Sequence, residues 1–336
     1  MIASFEGPTA DYAWRAAVSA ILNRGMPQSG RGGPTRELLH VGLQIADPRQ
    51  RWIHSRREAL NIAFAIADVI WILGGRDDAA FLNYFNRSLP KFAGDGTTYY
   101  GAYGERLRSR FDLDQLRQAA EALSANPTSR QVVLSIWDPR TDLPAADGMP
   151  RAPDIPCNIV SMLKARDGRL DWTQVMRSND AYRGLPHNLI QFTFLQEIMA
   201  GWAGLRPGLY THWSDSLHLY ERDLATNPIR DVAETMPVSS DDFALPWTSF
   251  EKSWPSIESF AERVTNEGVL ADEIVSTLNG LEVPQAWHNA LRILAAEGLR
   301  RRRADPAPAL RGLTCNVLTF LWDRWLARLA GSRQAT

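Results

Sequence analysis

The sequence predicts an α+β fold in which strands and helices surround one buried central helix and a helical C-terminal extension follows. Residues 158–178 form two strand-like runs joined at Asp167 and Gly168, a dipeptide typical of tight hairpins. Residues 188–204 are apolar on nearly every side, as expected of a helix in the middle of a domain. After residue 224 the composition shifts to helical segments separated by breakers such as Asn-Gly and Asp-Pro-Ala-Pro.

The elements before the hairpin follow from the spacing of their apolar residues. Residues 57–73 carry alanine, isoleucine and leucine at helical intervals and end at a Gly-Gly pair, which predicts a core helix. Asp68 lies on its apolar side, where a carboxylate is unusual unless it is paired or functional. A loop, an amphipathic helix and a strand are predicted at 91–103, 113–124 and 130–139.

The elements after the central helix divide the chain into two parts. Residues 208–224 begin as a strand and become polar, and four helices are predicted at 256–263, 269–278, 284–300 and 310–329. We therefore expect a body at residues 1–225 and a helical extension at residues 226–336 that packs on it. The tryptophans of the extension are expected in its core rather than as a ligand platform: Trp254, Trp287, Trp322 and Trp325.

Composition excludes several classes of protein. The 336 residues are 45% hydrophobic and 22% charged, with a net charge of -1, so no basic excess points to nucleic acid. The longest apolar run, 60–73, is shorter than a bilayer span and contains an aspartate, and the N-terminus lacks a signal-peptide pattern. The two cysteines are far apart and form no metal-ligand spacing. We expect a cytoplasmic protein without a metal site.

The two cysteines differ in their sequence context. Cys315 lies in an apolar run and is expected to be inert packing. Cys157 follows a proline in Asp-Ile-Pro-Cys-Asn, and a distinctive Arg-Ser-Asn-Asp-Ala-Tyr-Arg-Gly-Leu-Pro-His-Asn stretch comes downstream at 177–188. His-Leu-Tyr at 218–220 and Gly-Ala-Tyr-Gly-Glu-Arg-Leu-Arg at 101–108 complete the set.

In this order the motifs resemble the thymidylate synthase family over residues 30–225. The most specific element is Arg-Ser-x-Asp-x-x-x-Gly-Leu-Pro-x-Asn after a Pro-Cys. The resemblance implies a large mixed sheet, a catalytic body, 5,10-methylenetetrahydrofolate as the C1 donor and a homodimer with a shared phosphate site. It implies that the Cys157 thiolate adds to C6 of a pyrimidine nucleoside monophosphate, which makes C5 a carbon nucleophile. Nearby arginines would favour the thiolate.

The resemblance also assigns a phosphate site. Arg177 and Ser178 correspond to the phosphate-binding Arg-Ser of the family, and Arg130 corresponds to an arginine that reaches the phosphate from the partner subunit. Arg31 corresponds to a mobile phosphate arginine, with Arg36 as the competing assignment. Several guanidinium groups suit a dianionic phosphate because each can donate two hydrogen bonds.

The remaining matched positions surround the base, the sugar and the folate. Asn188 corresponds to the amide that hydrogen-bonds N3 and O4 of the pyrimidine. His218 and Tyr220 correspond to the pair that binds the sugar hydroxyl. Asp180 and Gly184 match positions that contact the pterin.

Two matched residues imply proton transfer, and several others depart from the family pattern. Tyr103 corresponds to the tyrosine that removes the C5 proton through water. Asp68 aligns with a helix glutamate that acts at O4, and its shorter side chain changes the reach by about one C–C bond. Asn158 replaces histidine, Gln131 replaces the second arginine of the phosphate pair, and Ser216 replaces aspartate.

The product follows from the access of water to an exocyclic methylene intermediate. The tryptophans that pack beside the folate are missing from residues 88–94, and the last ten residues do not match the apolar C-terminus that closes the family's site. Residues 93–108 also resemble the nucleotide hydroxymethylase branch. Water attack would give a 5-hydroxymethyl pyrimidine, so we expect a C1-group transferase of this kind.

The substrate and the activity leave alternatives open. The neutral Asn188 favours dUMP, and CMP or dCMP remains possible because an amide can flip. A methylating synthase, closed by the helical extension, is the second hypothesis. The third is a catalytically weak nucleotide-binding relative, motivated by the substitutions.

Overall fold

The computed structural model describes residues 2–30, 32–224, 227–230, 236–239 and 241–334. The strands are β1 (Ala3–Gly7), β2 (Met26–Gly30), β3 (Gly33–Ile45), β4 (Val133–Ser135), β5 (Asn158–Arg166), β6 (Arg169–Met176), β7 (Asn179–Asp180) and β8 (Arg206–Tyr220). The helices of the first half are α1 (Ala10–Arg24), α2 (Ile62–Leu73), α3 (Ala79–Phe85), α4 (Pro90–Ala93), α5 (Tyr103–Arg108), α6 (Gln115–Ala125) and α7 (Pro139–Asp142). Those of the second half are α8 (Gly184–Trp202), α9 (Glu221–Leu224), α10 (Trp247–Thr265), α11 (Ala271–Asn279), α12 (Gln285–Arg301), α13 (Ala307–Leu310) and α14 (Asn316–Gln334).

All the described strands join one mixed sheet. Its order is β1-β3-β8-β6-β5-β4, with β2 paired to β3 and β7 paired to β8. β1 and β3, β6 and β8, and β7 and β8 run parallel, while the other pairs are antiparallel. The predicted hairpin joins β5 and β6, and Asp167 and Gly168 have φ angles of 49° and 70°, which suit this tight turn. The predicted α+β fold is therefore confirmed.

Helix α8 is the predicted central helix, and it begins four residues before the predicted run. Every residue from Asn188 to its end is buried. It lies between β6 and β8 on one side and α2 on the other. The Gln196 amide joins it to the sheet, because Nε2 donates to the carbonyls of Leu170 at 2.8 Å and Leu209 at 3.1 Å. The sheet and α2 thus meet across one buried helix.

Several predicted boundaries differ from the structure, among them the helix predicted at 256–263, which is α10 and spans Trp247–Thr265 because it continues through Pro255. Helix α2 begins at Ile62 rather than at residue 57, because the Asn61 side chain caps it by accepting from the Phe64 amide. The strand predicted at 130–139 is only three residues long, and a proline at its predicted end starts α7. The last helix begins at Asn316 rather than at residue 310, after a turn in which Gly312 has a φ of 80°.

The C-terminal helices share the core of the body. Helices α10, α12 and α14 all contact α2, and their buried residues belong to the same hydrophobic cluster as those of α8. The chain enters this layer against Gly201, where a Cβ atom would lie 2.3 Å from the main chain of Ala244. The division at residues 225 and 226 stays a prediction.

A buried ion pair fixes the loop that leads into α5. Arg106 is 0% and Asp142 is 1% exposed, and Arg106 Nη1 lies 2.7 Å from Asp142 Oδ2. The guanidinium group also donates to the carbonyls of Tyr100 at 3.1 Å and Ile136 at 2.8 Å. The pair therefore fixes the position of the helix that begins at Tyr103.

Replacement of Arg106 by methionine should leave the Asp142 carboxylate buried without its partner. We expect Arg106→Met to lower the free energy of unfolding by about 3–5 kcal/mol, measured by urea denaturation. Arg49→Met, which breaks an exposed pair with Asp47, is the control and should cost less than about 1 kcal/mol. Equal losses in the two variants would contradict the structural role of the buried pair.

Candidate active site

One large cavity of about 1390 Å³ opens where the ends of several elements meet. Its walls come from α2, the start of α5, the segment before β5, residues 176–180, the first turns of α8 and the end of β8. Residues of α12 and α14 complete one side. Among the described residues, its lining has more arginines than carboxylates, which suits anionic ligands.

The structure brings most of the predicted site residues together in this cavity. Arg130 is exposed and does not line it. Arg31 lies outside the described residues, and Arg36 is directed away from the cavity, with Nη1 3.5 Å from the Leu22 carbonyl oxygen. The predicted residues that line the cavity are Asp68, Tyr103, Cys157, Arg177, Ser178, Asp180, Gly184, Asn188, His218 and Tyr220.

Cys157 lies at the entrance to β5, next to Arg177. It is half-buried, and its carbonyl oxygen accepts from the Arg177 amide at 2.9 Å. The Arg177 guanidinium group donates to the carbonyls of Pro156 and Ile155, each at 3.0 Å. These contacts hold a permanent positive charge beside the segment that carries the thiol, an arrangement that favours a thiolate. Cys315, in contrast, is 2% exposed, and burial raises the pKa of its thiol to about 11.

Two ionisable groups beside Cys157 have strongly shifted pKa values. Burial raises the pKa of the Asp68 carboxyl group to about 7, although the hydrogen bond from Gln191 opposes this shift. Burial, followed by the nearby Cys157, raises the pKa of the Tyr103 hydroxyl group far above its usual range. Tyr103 therefore stays protonated at neutral pH, while Asp68 can exchange a proton there. Such perturbed groups in a cavity are typical of catalytic sites.

A hydrogen-bond relay joins Asp68 to Asn188. Gln191 Nε2 donates to Asp68 Oδ2 at 2.5 Å, and Asn188 Nδ2 donates to Gln191 Oε1 at 3.0 Å. The sequence analysis missed Gln191. Its polar side chain three residues after Asn188, in an otherwise apolar helix, was the available signal. Asn158, which replaces the histidine of the family pattern, accepts from Gln174 Nε2 at 2.9 Å and is fully buried.

The opposite end of the cavity contains His218, Tyr220 and a carboxylate that the sequence analysis missed. Glu37 on β3 pairs in register with His218 on β8 and accepts from the Ser216 hydroxyl at 2.5 Å. Glu37 therefore supplies a carboxylate beside the position where the family has an aspartate and this chain has Ser216. Burial lowers the pKa of His218, while the charges of Asp180 and Glu37 raise it. Glu37 can be recognised as a neighbour of His218 only from the register of β3 and β8.

Asp180 ends β7, and Gly184 begins α8. Asp180 Oδ1 accepts from the amides of Tyr182 at 2.8 Å and Arg183 at 2.9 Å, and burial raises the pKa of its carboxyl group. A Cβ atom on Gly184 would lie 2.9 Å from Asn179 Oδ1 and 3.6 Å from Asn188 Oδ1. The absence of a side chain at Gly184 leaves room around the Asn188 amide.

Indole rings line the cavity, although residues 88–94 contain none. Trp71 comes from α2, and Trp325 comes from α14. Trp325 is 8% exposed, as expected of a core residue, but it also faces the cavity beside Arg328 and Leu329. The expectation that Trp325 belongs to the core is therefore confirmed, and its additional place in the cavity wall was not predicted. This contact with the cavity could not be predicted, because the position of α14 depends on long-range packing.

Neither a metal site nor a membrane-spanning helix is found among the described residues. No group of three histidine, cysteine or acidic residues is arranged to hold a metal ion among them. None of the described helices combines the length and apolar character needed to cross a membrane.

The raised pKa of the Asp68 carboxyl group predicts how the stability of the protein changes with pH. The carboxyl group ionises near 3.8 when unfolded and near 7 when folded, so wild-type stability falls as pH rises between these values. Asp68→Asn removes this loss. Because one pKa unit corresponds to about 1.4 kcal/mol, the variant should gain on the order of 4 kcal/mol over wild type between about pH 4 and about pH 8.

Urea denaturation at the two pH values tests this expectation. Asp95→Asn, at an exposed position, is the matched control and should differ little from wild type in either buffer. A difference between Asp68→Asn and wild type that does not change with pH would show that Asp68 ionises normally in the folded protein.

Comparison with known proteins agrees with this geometry. A family model described as "Thymidylate synthase" matches residues 12–245. Similar proteins include a deoxyuridylate hydroxymethyltransferase of Bacillus phage SP01, 32% identical over 254 residues, which are 72% of this chain and 65% of that protein. A deoxyuridylate hydroxymethyltransferase of Pseudomonas phage M6 is 34% identical over 243 residues, which are 65% of this chain and 67% of that protein.

A cellular relative is also similar. A putative thymidylate synthase of Methanothermobacter thermautotrophicus is 30% identical over 212 residues, which are 62% of this chain and 89% of that protein. The chain spans about two thirds of the length of the phage relatives. Enzymes of the matched family act on pyrimidine nucleotides with methylenetetrahydrofolate as cosubstrate. With the family model matching 12–245 of the 336 residues, the chain belongs to the thymidylate synthase family.

Proposed function

We propose that this protein is a C1-group transferase that hydroxymethylates C5 of dUMP with 5,10-methylenetetrahydrofolate. The observation that carries the proposal is the convergence of Cys157, Asp68, Tyr103 and Asn188 on one cavity with the matched phosphate and sugar residues. The phage relatives named deoxyuridylate hydroxymethyltransferases support the choice of substrate and product.

Cys157 starts the proposed reaction. Its thiolate adds to C6 of the pyrimidine, and the electron pair of the C5–C6 bond moves towards O4. C5 then attacks the methylene carbon, the C5 proton leaves, and tetrahydrofolate departs, so an exocyclic methylene group remains. Water adds to that carbon, and Cys157 is expelled from C6. The balance is dUMP, methylenetetrahydrofolate and water to 5-hydroxymethyl-dUMP and tetrahydrofolate.

Asp68 and Tyr103 divide the proton transfers between them. Because its pKa is about 7, Asp68 can give and take a proton near O4 at neutral pH. Tyr103 keeps its proton, since burial raises the pKa of its hydroxyl group. Tyr103 therefore orients a water molecule that accepts the C5 proton.

The phosphate, sugar and folate would occupy different parts of the cavity. Arg177 and Ser178 bind the phosphate, and His218 and Tyr220 bind the sugar hydroxyl. The volume of about 1390 Å³ exceeds the range of roughly 300–1,000 Å³ typical of one ligand, which supports two ligands bound together. Trp71 also lines the cavity, which supports a role for its indole ring in packing against the folate.

Arg130 and Arg31 are part of the homodimer that we propose. Arg130 is exposed and lies outside the cavity, which supports its donation to the phosphate site of a partner subunit in a homodimer. Arg31 would contribute to the phosphate site of its own subunit. The absence of a basic surplus supports a free nucleotide as the substrate, and we propose a cytoplasmic location.

A second candidate is methylation of the same carbon. It is favoured by α14, because Trp325 and Leu329 cover part of the cavity and could exclude water. In that case the folate would deliver a hydride to the exocyclic methylene group, and dihydrofolate would be released.

Product analysis separates the two candidates. Incubation with dUMP, formaldehyde and tetrahydrofolate should add CH₂O to the nucleotide, measured by mass spectrometry, because water reaches the methylene group. The same reactions with UMP, dCMP and CMP define the base and the sugar. Addition of CH₂, together with formation of dihydrofolate, would contradict hydroxymethylation and support the methylating synthase.

Replacement of the nucleophile tests the covalent step. We expect Cys157→Ser to lower the release of tritium from C5 of labelled dUMP by at least about 1,000-fold, because the alcohol does not form the C6 adduct. Cys315→Ser is the matched control, since that thiol is buried away from the cavity and should leave the rate near that of wild type. Wild-type protein that binds dUMP without releasing tritium would instead support the catalytically weak relative.

A further inference from the structure

We propose that Gln191 is a positioning residue that orients the Asn188 amide for uracil and against cytosine. The proposal rests on the proposed function, in which Asn188 hydrogen-bonds N3 and O4 of the base and Asp68 acts near O4. It assigns the choice of base to a relay of three side chains: Asp68, Gln191 and Asn188.

The relay is rigid because its members are buried and one helical turn connects two of them. Asp68, Gln191 and Asn188 are 6%, 7% and 6% exposed. Gln191 and Asn188 lie at positions i+3 and i on α8, and Asp68 faces them from α2. The two hydrogen bonds are 2.5 Å and 3.0 Å long. All three residues also border the cavity.

The direction of the hydrogen bonds follows from the chemistry of Asp68. A carboxylate only accepts hydrogen bonds, so Gln191 must direct its Nε2 group towards Asp68. Its Oε1 then faces Asn188 and accepts from Nδ2. A flipped Asn188 would bring its Oδ1 against Gln191 Oε1, and two acceptors repel each other. The Asn188 amide therefore has one favoured orientation.

The orientation of the Asn188 amide determines which hydrogen-bonding groups face the base. Asn188 keeps one Nδ2 hydrogen for the cavity, and its Oδ1 has no hydrogen-bond partner among the described residues. Nδ2 lies on the side of Gln191 and Asp68, which is the side of O4 in the proposed reaction, and Oδ1 lies on the N3 side. Uracil offers an acceptor at O4 and a donor at N3, so both atoms are satisfied.

Cytosine offers the Asn188 amide the opposite arrangement of hydrogen-bond donor and acceptor. Its N4 amino group would face the Nδ2 donor, and its unprotonated N3 would face the Oδ1 acceptor. Both pairs would be repulsive, and buried polar groups would lose their hydrogen bonds. A mismatch of this kind reduces binding on the order of 100-fold.

Nucleotide binding in two glutamine variants tests the relay. We would measure Kd for dUMP and dCMP by calorimetry at a pH above the pKa of Asp68, so that the carboxylate is ionised and catalysis does not enter the result. Wild type should favour dUMP on the order of 100-fold. Gln191→Met keeps the side-chain length and removes the relay, so the preference should fall to less than about 5-fold.

Gln196→Met is the matched control. Gln196 is also a buried glutamine of α8, but its amide contacts the sheet and it does not line the cavity. The variant should lose stability and keep the wild-type preference for dUMP. Asp68→Asn provides a second test, since a neutral amide at this position accepts either orientation of Gln191, and the preference should again fall.

The outcomes separate the relay from the proposed function. Wild-type preference retained in both Gln191→Met and Asp68→Asn, with dUMP bound, would overturn the relay while leaving the function intact. Equal loss of preference in Gln196→Met would also overturn it, because a general change in α8 would then explain the result. Wild-type protein that binds neither nucleotide would overturn the proposed function and the relay together.

Discussion

The rest of the structure depends on the complete burial of α8. A polar side chain on a helix without solvent is stable only when the protein supplies its hydrogen-bond partner. Gln196 finds its partners in main-chain carbonyls of β6 and β8, which fixes the helix on the sheet. Glu197, 1% exposed, pairs with Arg51 and accepts from the Phe243 amide at 3.1 Å. Helix α8 thus connects the sheet, the segment before α2 and the segment that leads into the C-terminal helices.

The same requirement at the other end of α8 produces the site. Asn188 and Gln191 are nearly buried, and they bond each other while Gln191 bonds Asp68. Gln191 extends from α8 to the carboxyl group of Asp68 on α2, so one side chain spans the distance between the two helices. Burial that keeps Asp68 partly protonated near neutral pH therefore also fixes its position relative to Asn188. The proposed acid–base group and the proposed base-binding amide are parts of one packed unit.

Local signals in the sequence predicted the β5–β6 hairpin and helix α8 correctly. The hairpin follows from Asp167 and Gly168, whose backbone conformation depends on neighbouring residues only, and α8 follows from its apolar run. The positions of Glu37 and Trp325 could not be predicted, because strand register places the first and the packing of α14 places the second. Gln191 gave a weak signal, a polar residue in an apolar helix, and only the structure identifies its partners. The matched motifs identified the residues of the cavity but not the contacts between them.

Helix α14 forms part of the cavity wall and therefore affects how water reaches the cavity. A short apolar C-terminus can close after the folate binds, whereas residues 324–328 of α14 are anchored to the rest of the protein. Arg324 donates to the carbonyl oxygen of His54, Arg328 donates to that of Ala59 at 2.7 Å, and Trp325 Nε1 donates to Glu297 at 3.3 Å. A wall held in this way does not tighten around a bound intermediate. Water access then depends on the space that the two proposed ligands leave in a preformed cavity beside Trp325, and this space decides between attack by water and hydride delivery.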